Sequence, residues 1–66
     1  MYTNGQALTD VNQFYDHIGR DVPVQIYTSG SHLDIGYIKE VNNVYIKVNN
    51  TYYRRDQFLF ISRPGY

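Results

Sequence analysis

The stretch Gly36-Tyr37-Ile38-Lys39-Glu40-Val41-Asn42 decides how the rest of the chain is read. It continues a run of β character that begins near residue 32. Leu33 and Ile35 fall on odd positions, Ile38 on an even one, and Gly36 lies between them. Side chains alternate across a strand, so a change of parity marks a bulge or a sharp bend. Glycine at the change predicts that one strand over 32–41 bends and serves both halves of a closed barrel. The expected bend leaves no room for a branched Cβ at Gly36.

Downstream of this strand the pattern is all hairpins. Asn42-Asn43 reads as a tight turn, and Val44, Ile46 and Val48 as an inward row with Tyr45 and Lys47 outward, giving a strand over 44–48. Asn49-Asn50 suits the positive φ of a two-residue hairpin turn. A strand over 51–55, a polar connection through Asp56 and Gln57, and a strand over 58–62 follow, before Pro64-Gly65 ends the ladder.

Upstream, Val22, Val24 and Ile26 alternate with Pro23, Gln25 and Tyr27, predicting a strand over 21–28 with Pro23 at its start or edge. Ser29-Gly30-Ser31 turns it into the bent strand. Before it, Leu8, Val11, Tyr15 and Ile18 recur at helical spacing, with Phe14 widening the stripe. The expected helix runs from about 6 to 18. Thr3-x-x-Gln6 is its capping box, Gly19 takes the left-handed position after it, and Arg20 sits near its carboxyl end. His17 then meets the dipole or solvent. One helix followed by five short antiparallel strands, without a crossover helix, predicts a mainly β fold: a strongly bent five-stranded barrel of SH3-like type, 1–66 forming one domain. The leading helix disfavours the OB arrangement.

The totals narrow the function. Sixty-six residues bury a modest core, and there is no cysteine to staple it. Oligomerisation is the expected supplement. Six basic and six acidic side chains give zero net charge, unlike a general nucleic-acid binder. Eight tyrosines suit half-exposed strand faces and subunit interfaces. No signal-peptide pattern and no membrane-length apolar run is present, so synthesis in the cytoplasm without membrane insertion is expected. His32 and Asp34 lack a nucleophile and an orienting group, His17 and His32 are isolated, and no phosphate loop or metal-ligand cluster is seen. The chain reads as a non-enzyme with no catalytic residue, metal or small-molecule cofactor.

The residues resemble the Sm-like superfamily, which includes the Hfq proteins. Gly36 to Asn42 is similar to the first family motif, a glycine, alternating apolar residues, then Asp or Asn. Tyr53-Arg54-Arg55-Asp56-Gln57-Phe58-Leu59-Phe60-Ile61 is similar to the second. The leading helix and Val22-Pro23-Val24-Gln25-Ile26-Tyr27 resemble Hfq. Ile18-Gly19 and the apolar last strand also resemble short Sm-like domains of spore-forming bacteria, some associated with the spore coat. The chain departs from the family where Arg55 replaces a glycine, where Tyr53-Arg54-Arg55 replaces the Hfq Tyr-Lys-His signature, and where Ile46 occupies roughly the place of a base-binding asparagine.

The resemblance implies rings of roughly five to seven subunits in which the fourth strand of one copy pairs with the fifth of the next. It places Tyr52, Tyr53, Phe58 and Phe60 as candidate subunit-interface residues. Asn42, Tyr45, Arg54 and Arg55 are the candidates to face a pore or single-stranded RNA. Against those roles stand plainer ones: an interface or surface ion pair of Arg54 or Arg55 with Asp56 or Glu40, and tyrosines that cover barrel or subunit surface. Two functions therefore stand: a structural self-assembling module, for which the resemblance suggests a spore-surface setting, and an Hfq-like RNA binder.

Overall fold

The computed structural model describes residues 2–66. It is mainly β with one short helix: β1 Ala7–Leu8, α1 Val11–Gly19, β2 Val24–Thr28, β3 Ser31–Gly36, β4 Ile38–Val41, β5 Tyr45–Val48, β6 Thr51–Arg54 and β7 Leu59–Ser62. One sheet is ordered β1-β7-β2-β3 and the other β4-β5-β6. Every pairing is antiparallel.

Seven strands in two sheets replace the closed five-stranded barrel expected from the sequence. Two seams account for the difference. At Tyr37 the long strand leaves both ladders, so its halves become β3 and β4 of separate sheets. At the other seam β6 and β7 do not pair. The chain turns between them, with the Gln57 N–H donating to the Arg54 carbonyl at 3.2 Å. The outer edge of β7 is taken instead by β1, which sets Ala7 opposite Ile61 and Leu8 opposite Phe60.

The predicted parity change has a different origin. Irregular register falls between Ile26 and Tyr27 on the β2–β3 ladder, where Leu33 is the extra residue, and between Ile38 and Glu40 on the β4–β5 ladder. Gly36 does not take a positive φ. Its constraint is space: an added Cβ would lie 2.5 Å from the Asn49 Oδ1.

The helix begins at Val11, not near residue 6, because Asp10 is its N-cap. The Asp10 carboxylate accepts from the Asn12 N–H at 2.8 Å, and the Gln13 side chain accepts from the Asp10 N–H at 3.0 Å. This capping box satisfies orphan donors of the first turn. Thr3 and Gln6 make a separate turn, through Gln6 N–H to the Thr3 carbonyl at 3.0 Å and Thr3 N–H to the Gln6 side chain at 3.1 Å. Leu8 therefore joins a strand. Gly19 stays in the helix, and the left-handed residue after it is Asp21, with φ 53°.

Leu8, Phe14, Val24, Ile26, Ile38, Ile46, Val48, Tyr53 and Phe60 form the core between the sheets and the helix. Phe14 meets Phe60 edge to face, ring centroids 5.3 Å apart. Val44, expected to head the inward row, is 45% exposed because it sits in the turn before β5. His17, expected at the surface, is buried. Its Nδ1 lies 2.7 Å from the Gln13 carbonyl and its Nε2 2.7 Å from the Ser62 hydroxyl. A carbonyl only accepts, so Nδ1 donates to Gln13, while Nε2 and the Ser62 hydroxyl share the second bond. This bond ties the helix to β7. No helix among the described residues is long and apolar enough to cross a membrane.

Candidate functional site

The two sheets are closed on each other at one side and open at the other. On the closed side Asp34 of β3 gathers three donors through four hydrogen bonds. The Asn49 amide reaches both carboxylate oxygens at 3.2 and 3.1 Å, the Tyr53 hydroxyl donates at 3.0 Å, and the Ile35 N–H donates at 2.8 Å. Burial, followed by this bond to Asp34, raises the Tyr53 phenol above its ordinary pKa. Tyr53 is thus a core residue, packed edge to face on Phe58 with ring centroids 5.2 Å apart. It is not placed at a free surface.

On the open side lies a groove of about 490 Å³ between the β6–β7 connection, the β4–β5 turn and the start of the helix. Phe14 and Phe60 form its buried wall, and Val44 and Leu59, both nearly half exposed, form its lip. Four of the eight sequence candidates line it: Arg54, Arg55, Phe58 and Phe60.

The adjacent arginines differ in their partners. Arg54 makes a two-point ion pair with Asp56, Nε to Oδ1 and Nη2 to Oδ2 both at 3.0 Å. The hydrogen bond to Arg54 holds the Asp56 carboxyl below its ordinary pKa, and Asp56 raises that of Arg54. Arg55 is half-buried and spans the groove. Its backbone N–H donates to the Val44 carbonyl at 2.9 Å, while its guanidinium reaches the carbonyls of Asn43 at 3.5 Å and Thr9 at 3.4 Å. The guanidinium carbon lies 5.3 Å from the centre of the Phe14 ring. The two ion pairs among the described residues, Lys47–Glu40 and Arg54–Asp56, leave Arg55 without an acidic partner.

Asn42 and Tyr45 are not brought into the groove. The Asn42 side chain accepts from the N–H groups of Val44 at 2.9 Å and Tyr45 at 2.7 Å, closing the β4–β5 turn. Tyr45 and Tyr52 lie on the outer face of the second sheet, edge to face at 6.1 Å. Lys47 stands over the Tyr52 ring at 5.3 Å, and the Tyr52 hydroxyl donates to Glu40 at 3.1 Å.

Neither family models, nor known curated proteins, nor solved structures give a match to this chain. The groove is therefore read from its own chemistry. Aromatic and aliphatic walls suit an apolar or flat group, and the free donors of Arg55 suit an anion or a carbonyl. The sequence reading missed Leu8, Thr9, Phe14, Asn43, Val44, Asp56 and Leu59 as groove residues. Phe14 carried a signal, since it broadened the helical stripe toward the face that meets β7.

Proposed function

We propose that this chain is a non-enzymatic, self-associating module on an Sm-like ground plan, assembling into a homo-oligomeric ring or a larger array. The helix-first order, with the last strand returning beside β2, supports that plan. One observation carries the self-association: the outer edge of β6 is unpaired beside an apolar groove. Thr51 sits opposite Val48, Tyr53 opposite Ile46, and the Arg55 N–H reaches Val44. Backbone groups alternate sides along a strand, so those of Tyr52 and the N–H of Arg54 point away from β5. An exposed ladder edge is satisfied by a strand from another chain. A small domain without disulfides gains stability from such pairing. An array at a spore surface is the setting the family resemblance suggests.

Mass measurement in solution, by sedimentation or native mass spectrometry over a hundredfold range of concentration, tests this reading. The expected result is an oligomer; a monomer at the highest concentration overturns it.

A second reading is favoured by Arg55, a half-buried cation against aromatic walls with no acidic partner. Repeated around a ring, Arg54 and Arg55 would concentrate charge on a neutral protein and could hold single-stranded RNA, with an unstacked base in the groove. Titration with oligo-U and oligo-A at two salt concentrations tests it. Salt-dependent binding that Arg54→Ala and Arg55→Ala abolish supports RNA binding; no binding by the assembled protein rejects it.

A further inference from the structure

We propose that the groove on the open side is a binding site for a small monocarboxylic acid with an apolar body. The proposal stands on the groove of one copy and does not depend on self-association. Arg55 carries it. A guanidinium has five N–H donors and no acceptor. Two of them point at the Asn43 and Thr9 carbonyls, at 3.5 and 3.4 Å, the long end of hydrogen bonding. Three donors remain, and no carboxylate among the described residues pairs with this side chain. Arg55 is nevertheless half-buried. A charge drawn partly out of water is stabilised by an opposite charge, and the chain supplies only carbonyl dipoles.

Charge selects the head of the ligand. Two arginines and one aspartate line the groove, which leaves one net positive charge. Asp56 is already held at two points by Arg54, each at 3.0 Å. That pair neutralises itself, and Arg55 is the uncompensated member. A single carboxylate cancels its charge and can take two parallel bonds from the planar fork. A phosphate monoester carries about two negative charges at neutral pH, one too many for a groove that also holds Asp56.

The walls select the body. Phe14 and Phe60 close the floor, while Val44 and Leu59 at the lip and the half-buried Phe58 offer apolar surface. A volume of about 490 Å³ suits one small molecule; such sites are mostly apolar, with a few polar groups that fix orientation. Single-stranded nucleic acid is a poorer match, because it presents a string of backbone charges to a groove with one.

The site is held ready before a ligand arrives. The Arg55 N–H is bonded to the Val44 carbonyl at 2.9 Å, and its guanidinium is braced against the Phe14 ring. Donors fixed in advance lose less freedom on binding. Thr9 precedes the helix and follows β1, Asn43 and Val44 form the β4–β5 turn, and Arg55 and Phe58 belong to the connection between β6 and β7. A ligand here touches elements of both sheets across their open seam, so its binding also stabilises the fold.

Titration of the wild-type protein with 3-phenylpropanoate, followed by backbone amide NMR, tests the proposal. The Thr9, Asn43, Val44 and Arg55 amides are expected to move together, with a Kd in the millimolar range or tighter for a ligand of this size. 3-Phenylpropanamide, which has the same body without the charge, and 2-phenylethyl phosphate are each expected to bind about tenfold more weakly or worse. Acid at about ten times its Kd is expected to raise Tm by roughly 5–10 °C. Arg55→Met keeps an apolar stem and is expected to weaken the acid about tenfold or more while leaving the amide unchanged. Val44→Glu, at an exposed position, adds a repelling charge and is expected to weaken the acid as well; it serves if Arg55→Met does not fold. Equal affinity for acid and amide, tighter binding of the phosphate, movement confined to the outer face around Tyr45 and Tyr52, or no movement at roughly ten times a millimolar Kd overturns the proposal. Oligo-U that moves the same amides and is not displaced by 3-phenylpropanoate assigns the groove to nucleic acid and overturns it too. A monomer that binds the acid as described removes self-association and leaves this site standing.

Discussion

At the scale of single residues, Gly36 and Asn49 form one unit. Asn49 holds φ 57°, which asparagine tolerates, and its amide is fixed by Asp34 and by the Ile35 carbonyl at 3.3 Å. The atom that a Cβ at position 36 would strike is therefore not free to swing away. Gly36→Ala is expected to cost about 1–3 kcal/mol, the range of overpacking, and Gly36→Val more. In an Asn49→Gly background, which keeps the backbone conformation and removes the obstacle, the same substitution is expected to cost far less. Equal costs in both backgrounds, measured by denaturant unfolding, would refute this account. Asp56 gives a residue-scale prediction in pH. Its carboxyl is held below its ordinary value by Arg54. Its folded value being depressed, the stabilisation is present above the unfolded pKa and lost as pH falls through the folded one. Carboxyl NMR titration should show Asp56 returning to its ordinary value in Arg54→Ala, with the neutral-pH spectrum otherwise intact.

At the scale of elements, the helix depends on its first turn. Asp10→Ala removes the acceptor for Asn12 and half of the capping box with Gln13. The expected loss is about 1 kcal/mol, a fall in Tm of roughly 4–8 °C for a chain of this size. Calorimetry that finds no change would mean that the cap is solvated at no cost. The same element shows where the sequence was readable. Alternation placed the strands around Val24, Ile26, Ile46 and Val48, because burial on one face imposes a period of two. The start of the helix was not readable, because Thr3-x-x-Gln6 and Asp10-x-x-Gln13 are equally good capping boxes. Pairing of Leu8 with Phe60, a contact between distant parts of the chain, decides between them. His17 was misjudged for a related reason. Its burial depends on Ser62, 45 residues away, which supplies the hydroxyl that makes a buried imidazole acceptable. At the groove, Arg54, Arg55, Phe58 and Phe60 were legible as candidates by type. That Asn42 spends its side chain on a turn, and that Arg55 reaches Thr9 across 46 residues, were not.

At the scale of the whole molecule, no backbone ladder among the described residues joins the two sheets. Their union rests on the core, on Asp34 at one seam and on Arg55 at the other. Cooperative units in hydrogen exchange follow contiguous ladders. The β4-β5-β6 sheet is expected to open as a unit at lower free energy than β7-β2-β3, whose central strands are paired on both sides. Amides of Ile46 and Val48 should then exchange faster than those of Ile26 and Ile61 in the unassembled protein. A single common opening free energy for all four would show that the side-chain ties alone make the molecule one cooperative unit.

The meeting at Asp34 has a consequence for how faithfully the chain folds. It requires a carboxylate from β3, an amide from the β5–β6 turn and a hydroxyl from β6 to arrive together. A β5–β6 hairpin displaced by two residues would still hide its apolar side chains, so hydrophobic collapse cannot reject it. It would, however, bring neither the Asn49 amide nor the Tyr53 hydroxyl to Asp34, leaving a half-buried carboxylate with the adjacent Ile35 N–H as its one remaining donor of the three. The cluster thus acts as a proofreading point, where an error in one hairpin costs another strand its hydrogen bonds.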